Sequence, residues 1–306
     1  MNNTNYQSVV KDAVKAKYKR RKSITGRAKQ RFPESAEREY VRFCRAYMAA
    51  FNHELKASIP EIIKAYNESL RNDSREDSIF GFRDKIRNIF YKIAAKIEKK
   101  LYGMKLDKAL DKVSSMVHRL SVSEWKRMVK QSIGIDILED YYSGETYRNA
   151  IERWITENVS MISCVPGDSL RKIERIIYDG YTNGMLISDM RDKIQNACNV
   201  SQRKATMIAR DQVAKLNAEL TKMQQRDAGV TRYRWSSSKD SRVRECHRQF
   251  EGHVYRWDEP PEDWHRTKDG IVKTGKRYNP GEAVGCRCVA IPIFDIDTLN
   301  LPIKGV

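Results

Sequence analysis

The side chains best equipped for chemistry lie near the C-terminus. Cys286 and Cys288 are separated only by Arg287 and follow Gly285. In a regular strand the two thiols face one side, too far apart for a relaxed disulfide. A bend at Gly285 brings both sulfurs within reach of one metal ion, because glycine tolerates the backbone angles that a bend needs. His247 is a natural third ligand, and Cys246, His265, His253 and Asp240 are the candidates for a fourth. Zinc takes about four nitrogen or sulfur ligands in a structural site, and a small module gains folding energy from it. A plainer reading stays open beside this one: two small buried cysteines next to a hydrogen-bonded histidine.

The same stretch offers a hydrolytic alternative. Asp240, His247, His253 and His265 are residue types that hold a hydrated cation against a phosphodiester, as a nuclease or a nuclease-type toxin needs. Their spacing does not demand it. No glycine-rich nucleotide loop, G-x-S-x-G or H-E-x-x-H occurs, and no catalytic residue is assigned.

These residues must be positioned by a small mixed module. Residues 230–235, 253–257 and 289–294 alternate as strands do, the last with Pro292 as a break. A short helix is expected around residues 240–250, and a long polar loop over 258–284. Before Gly229 the period is helical. Tyr40, Cys44, Tyr47, Met48, Phe51 and Leu55 recur at three- and four-residue steps, and similar stripes follow around residues 80–103, 106–120, 124–133 and 146–162. Pro60 interrupts the first stripe. Pro166-Gly167-Asp168-Ser169 punctuates the chain, with Asp168 placed to cap the next helix, and Ser188 and Ser201 cap two more. The fold class is therefore α+β, a mainly helical N-terminal region with a small helix-plus-short-strand module. The domains are a basic arm over 1–32, a helical domain over 33–165 and the C-terminal module over 166–306.

The arm holds ten Lys/Arg between positions 11 and 31 against one acid, Asp12. Lys11, Lys15, Lys17, Lys19, Arg20, Arg21, Lys22, Arg27, Lys29 and Arg31 repel one another, so the segment is expected to stay disordered until DNA or an acidic protein surface neutralises it, or else to form a solvated tail or a basic amphipathic helix on the protein itself. The whole chain carries a formal charge of +18, which favours polyanionic partners. No apolar run reaches the roughly 18 residues of a membrane span, and the polar N-terminus lacks the apolar core of a signal peptide. Six scattered cysteines do not form a secreted disulfide framework, which points to folding in a reducing cytoplasm.

Order and spacing give these pieces a common identity. Ala209-Arg210-Asp211-Gln212, Asn217 and Gly229 are followed by Tyr233-Arg234-Trp235, by Asp240 through His247, by Gly252, by Asn279-Pro280-Gly281 and by Cys286-Arg287-Cys288. The series resembles the phage head morphogenesis family, the Mu F-like minor head proteins, over about residues 170–294. Arg210, Asp211, Asn217, Trp235, Asp240, Arg244 and Gly252 are the positions that carry the motif. Many relatives have a Cys-x-x-Cys where this chain has Arg244-Glu245-Cys246-His247. The missing cysteine at Arg244 removes one ligand, so a closed site must recruit Cys246 or His265. Alternatively, Arg244 and His247 form a polar network around Asp240. The resemblance implies a non-enzymatic minor capsid protein at the portal vertex, in contact with portal, capsid or scaffold proteins and with phage DNA. It would act in head assembly and in DNA packaging or delivery, inside the capsid of the virion after assembly in the host cytoplasm. A DNA-binding protein without a virion role is the further alternative.

Overall fold

The computed structural model describes residues 7–19, 21–71 and 77–303. In chain order these form α1 (Gln7–Lys17), β1 (Ser23–Thr25), α2 (Glu34–Arg71), α3 (Asp77–Tyr102), α4 (Leu106–Ile133), a 3-10 turn (Glu139–Ser143), α5 (Glu145–Thr182) and α6 (Ile187–Asp227). There follow β2 (Arg232–Ser236), α7 (Glu245–Phe250), β3 (Val254–Arg256), β4 (Glu262–Thr267), β5 (Gly270–Arg277) and β6 (Val289–Asp295). The class is α+β. No helix among the described residues is long and apolar enough to cross a membrane.

The chain divides into two compact units, and the division runs differently from the domains expected above. One unit comprises residues 1–36, 114–154 and 211–306, the other residues 37–113 and 155–210. Each boundary falls inside a helix.

The second of these units is all helical. Its core is the apolar stripe expected from sequence, with Tyr40, Cys44, Met48, Phe51 and Leu55 buried on α2 and Ile86, Ile93 and Ile97 on α3. Phe82 stacks on Tyr181 at 3.9 Å, and the Tyr66 hydroxyl donates to the carbonyls of Gly180 and Met185. Burying each such side chain is worth about 1.5–3 kcal/mol. That gain explains two corrections. Pro60 and Pro166 lie inside α2 and α5 rather than ending them. A proline removes one helix hydrogen bond, but Ile162, Val165, Leu170 and Ile173 bury themselves on both sides of Pro166 and carry the helix through. Asp168 accordingly caps nothing: it pairs with Arg171 and Lys204. Ser201 also sits mid-helix, its hydroxyl turned back to the Ala197 carbonyl, so residues 187–227 form one helix instead of two.

The first unit holds the sheet, with strand order β1-β6-β2-β3, every neighbouring pair antiparallel. Trp125 of α4 packs on Phe294 of β6 and donates its indole N–H to Tyr142. Pro292 does not break β6. Its carbonyl accepts from Gly26 just beyond the short β1 ladder, so the absent N–H falls where that ladder has ended. The polar loop expected over 258–284 contains the hairpin β4–β5. Both its faces are largely exposed, so no apolar alternation marked it as strand.

The N-terminal block is part of this unit and not a free arm. Val10 and Val14 of α1 and Ile24 of β1 are buried. Lys11 and Lys15 pair with Asp297, Lys29 donates to the Ser237 carbonyl, and Arg31 pairs with Glu124. Apolar residues at helical and strand spacing overcome the self-repulsion of the charges. Lys17, Lys19, Arg21, Lys22 and Arg27 remain exposed, whereas Arg20 lies outside the described residues.

Candidate functional site

The Cys/His site is assembled from three segments of the first unit. An Asx turn sets up α7: the Asp240 carboxylate accepts the Arg242 N–H at 2.9 Å, which holds its pKa below the usual range. Arg244 stands at the N-cap, and its guanidinium donates to the Val284 carbonyl at 2.7 Å. It therefore fastens the segment before the cysteines and does not fork onto Asp240. At the far end of α7, Gly252 (φ +78°) donates its N–H to the Trp235 carbonyl, which ties the helix to β2.

The cysteines are set by α6. Gly285, at φ +69°, gives its N–H to Asp211 Oδ1 at 2.7 Å. Gln225, two residues from the C-terminal end of α6, donates to the Ala290 carbonyl at 2.9 Å. Lys215 pairs with Asp211, and Asn217 is buried on the same helix, its carbonyl accepting the Thr221 hydroxyl. Arg210 turns elsewhere, to Glu37 at 3.5 Å within the helical unit. A buried polar face on a long helix thus clamps the entry to β6.

His247 Nδ1 lies 3.5 Å from Cys286 Sγ and 3.6 Å from Cys288 Sγ. With Zn–S near 2.3 Å and Zn–N near 2.0–2.1 Å, tetrahedral ligands stand about 3.5 Å apart, so these three fit one zinc ion. They are 3, 4 and 5% exposed, in a core with Tyr233, Trp235, Trp257, Ala283 and Ala290. The Trp235 ring meets the imidazole edge-on at 5.2 Å. Hydrogen bonding from Cys288, and then from His247, holds the Cys286 thiol well below the usual range against the opposing effect of burial. Cys288 is pushed up, because its thiol proton is shared with Cys286 and because it is buried.

The other expected ligands do not join them. Cys246 Sγ donates to Asp263 Oδ1 at 3.0 Å, and burial pushes its thiol up to about 11. Neighbouring residues on a helix diverge by about 100°, and Cys246 is turned to Asp263 while Nδ1 of His247 faces the Cys286–Cys288 pair. Cys246, Asp263 and the outer nitrogen of His247 form a second group, with His247 Nε2 3.8 Å from Asp263. His265 is exposed on β4, opposite Val272, about 7 Å further along the strand than Asp263. Asp240 and His253 are in neither of the two groups found among the described residues. Sequence reasoning missed Asp263 altogether, because its partner relation exists only once β4 is formed.

Residues 171–291 match the family model described as Phage Mu protein F like protein. The chain is also similar to an uncharacterized protein of Haemophilus influenzae, 29% identical over 167 residues, which is 55% of this chain and 34% of that protein. This chain therefore spans about a third of the length of that relative. No solved structure matches.

Proposed function

We propose, from the match of residues 171–291 to the Mu F-like family, that this chain is a minor component of a phage head. It sits in few copies at the portal vertex, on the inner side of the capsid, and acts in head assembly and in DNA packaging or delivery. The observation that carries this reading is that several residues of the motif inside the matched range make structural contacts. Asp211 and Arg244 fasten Gly285 and Val284 just before the cysteines, Cys286 meets His247, and Gly252 ties α7 to β2. A formal charge of +18 suits a protein lying against packed DNA.

In this reading the module is a brace and the chain is not an enzyme. The Cys/His cluster is buried, out of reach of a substrate the size of a phosphodiester. A zinc ion would be held by His247, Cys286 and Cys288, and would cross-link α7 to the start of β6. The helical unit supplies surface for portal or capsid proteins. Coexpression with the portal protein of the same phage, followed by size exclusion at micromolar concentration, tests the reading. Co-elution supports it; clean separation of two folded proteins overturns it.

A further inference from the structure

The outer edge of the sheet carries an arrangement that the head reading leaves unused. Arg232 of β2 and Arg256 of β3 stand directly opposite each other. Like charges in that position repel across the strands. Arg277, at the end of β5, joins them around an open depression of about 320 Å³, with Val254, Tyr255 and Glu259. A neighbouring depression of about 230 Å³ is lined by Arg226 and again Arg256. Arg234 follows Arg232 two residues along β2, about 6.7 Å away at the rise of a strand.

Acids lie in this field too: Asp258 is forked by Arg256 at 2.9 Å, Glu259 lines the depression, Glu262 stands across the hairpin from Arg277 and pairs with Lys273, and Asp227 follows Arg226. Arg226, Arg232 and Arg277 are exposed and form no ion pair among the described residues. Exposed arginines held close together on regular backbone, with guanidinium groups free of close ion pairs, make a site for a repeated anion. The guanidinium fork matches phosphate oxygens two at a time and is less hydrated than an ammonium. Single-stranded nucleic acid is recognised by successive bases stacking on exposed aromatic rings, but Tyr233, Trp235 and Trp257 beside these arginines are buried in the core and Tyr255 in the depression is half-buried.

We propose that Arg226, Arg232, Arg256 and Arg277 form a docking face for the phosphate backbone of duplex DNA, without sequence preference. The proposal rests on the reading of the chain as a component of a DNA-filled head and names the surface that meets the DNA. It differs from the basic N-terminal block, of which Lys11, Lys15, Lys29 and Arg31 are engaged within the protein.

The test is fluorescence anisotropy of a short mixed-sequence duplex with the full chain, between about 50 and 200 mM salt. Replacing Arg226, Arg232 and Arg277 together by alanine is expected to weaken binding at least about tenfold. It should also flatten the log–log salt slope by roughly two to three, since each lost phosphate contact removes about 0.9. Alanine at Lys19, Lys22 and Arg27 is expected to leave most of the affinity. If circular dichroism shows the triple variant unfolded, Arg232→Ala and Arg277→Ala singly carry the test, each flattening the slope by about one. Unchanged affinity and slope in the arginine variants overturns the proposal. So does equal binding of single-stranded DNA or of polyglutamate at matched charge, or no binding of duplex at about 50 mM salt. Portal co-elution is measured without DNA, so failure of the head reading shows there and not in the anisotropy.

Discussion

Asp211 and Gly285, 74 residues apart, are joined by one hydrogen bond of 2.7 Å from a backbone N–H to a buried carboxylate. It sets the backbone one residue before Cys286, and Lys215 balances the carboxylate charge. Asp211→Ala leaves that N–H without its acceptor and is expected to cost about 1–3 kcal/mol. Chemical denaturation measures the loss. Asp211→Asn, which keeps the acceptor oxygen, should recover part of it.

The turn at Asn279-Pro280-Gly281 is equally constrained. Gly281 has φ +88°, and a Cβ there would come within 2.6 Å of the Ala218 Cβ on α6. Gly281→Ala combines a strained backbone with a steric clash and should destabilise by about 2–4 kcal/mol. Ala218→Gly in the same chain removes the clash but not the strain, and should restore a measurable part of the melting temperature.

Glu124 gives a pH signature. Burial pushes its carboxyl up, but hydrogen bonds from Arg127 and from the Arg31 N–H and guanidinium outweigh burial, and the pKa is lowered. A carboxyl depressed in the folded state stabilises above its unfolded pKa, and that contribution is lost as pH falls through the folded value. Glu124→Gln should therefore cost about 1–3 kcal/mol at pH 7. The difference from the parent protein should shrink below the unfolded value of about 4.3. A difference that stays constant between pH 7 and pH 3 counts against this assignment.

Removing residues 1–32 should act on stability before it acts on DNA. It takes away Val10, Val14, Ile24 and strand β1, which pairs with β6 from Ser23 to Thr25. Three buried aliphatic side chains at about 1.5–3 kcal/mol each make a loss on the order of 5 kcal/mol. A truncated chain with unchanged thermal unfolding contradicts the packing of α1 and β1 against this unit.

The helical stripes and three of the strands were legible because burial leaves a period in the sequence. Tyr40 through Leu55 and Tyr233 with Trp235 show it directly. Helix ends at Pro60, Pro166 and Ser201 were misjudged because local punctuation yields to burial on either side. The hairpin β4–β5 was missed because a ribbon with two wet faces carries no apolar period. In the candidate site, the spacing of Cys286 and Cys288 and the glycine before them pointed to the cluster with His247. The opposite direction taken by Cys246 and the presence of Asp263 followed only from the placement of α7 against β4.

We propose that this chain is built into a phage head. The most direct test is quantitative mass spectrometry of purified heads assembled from the chain together with its portal and major capsid proteins. The chain should be retained in heads at a few copies per portal and lost from heads assembled without the portal. Heads that package DNA normally and contain none of the chain would contradict the proposal.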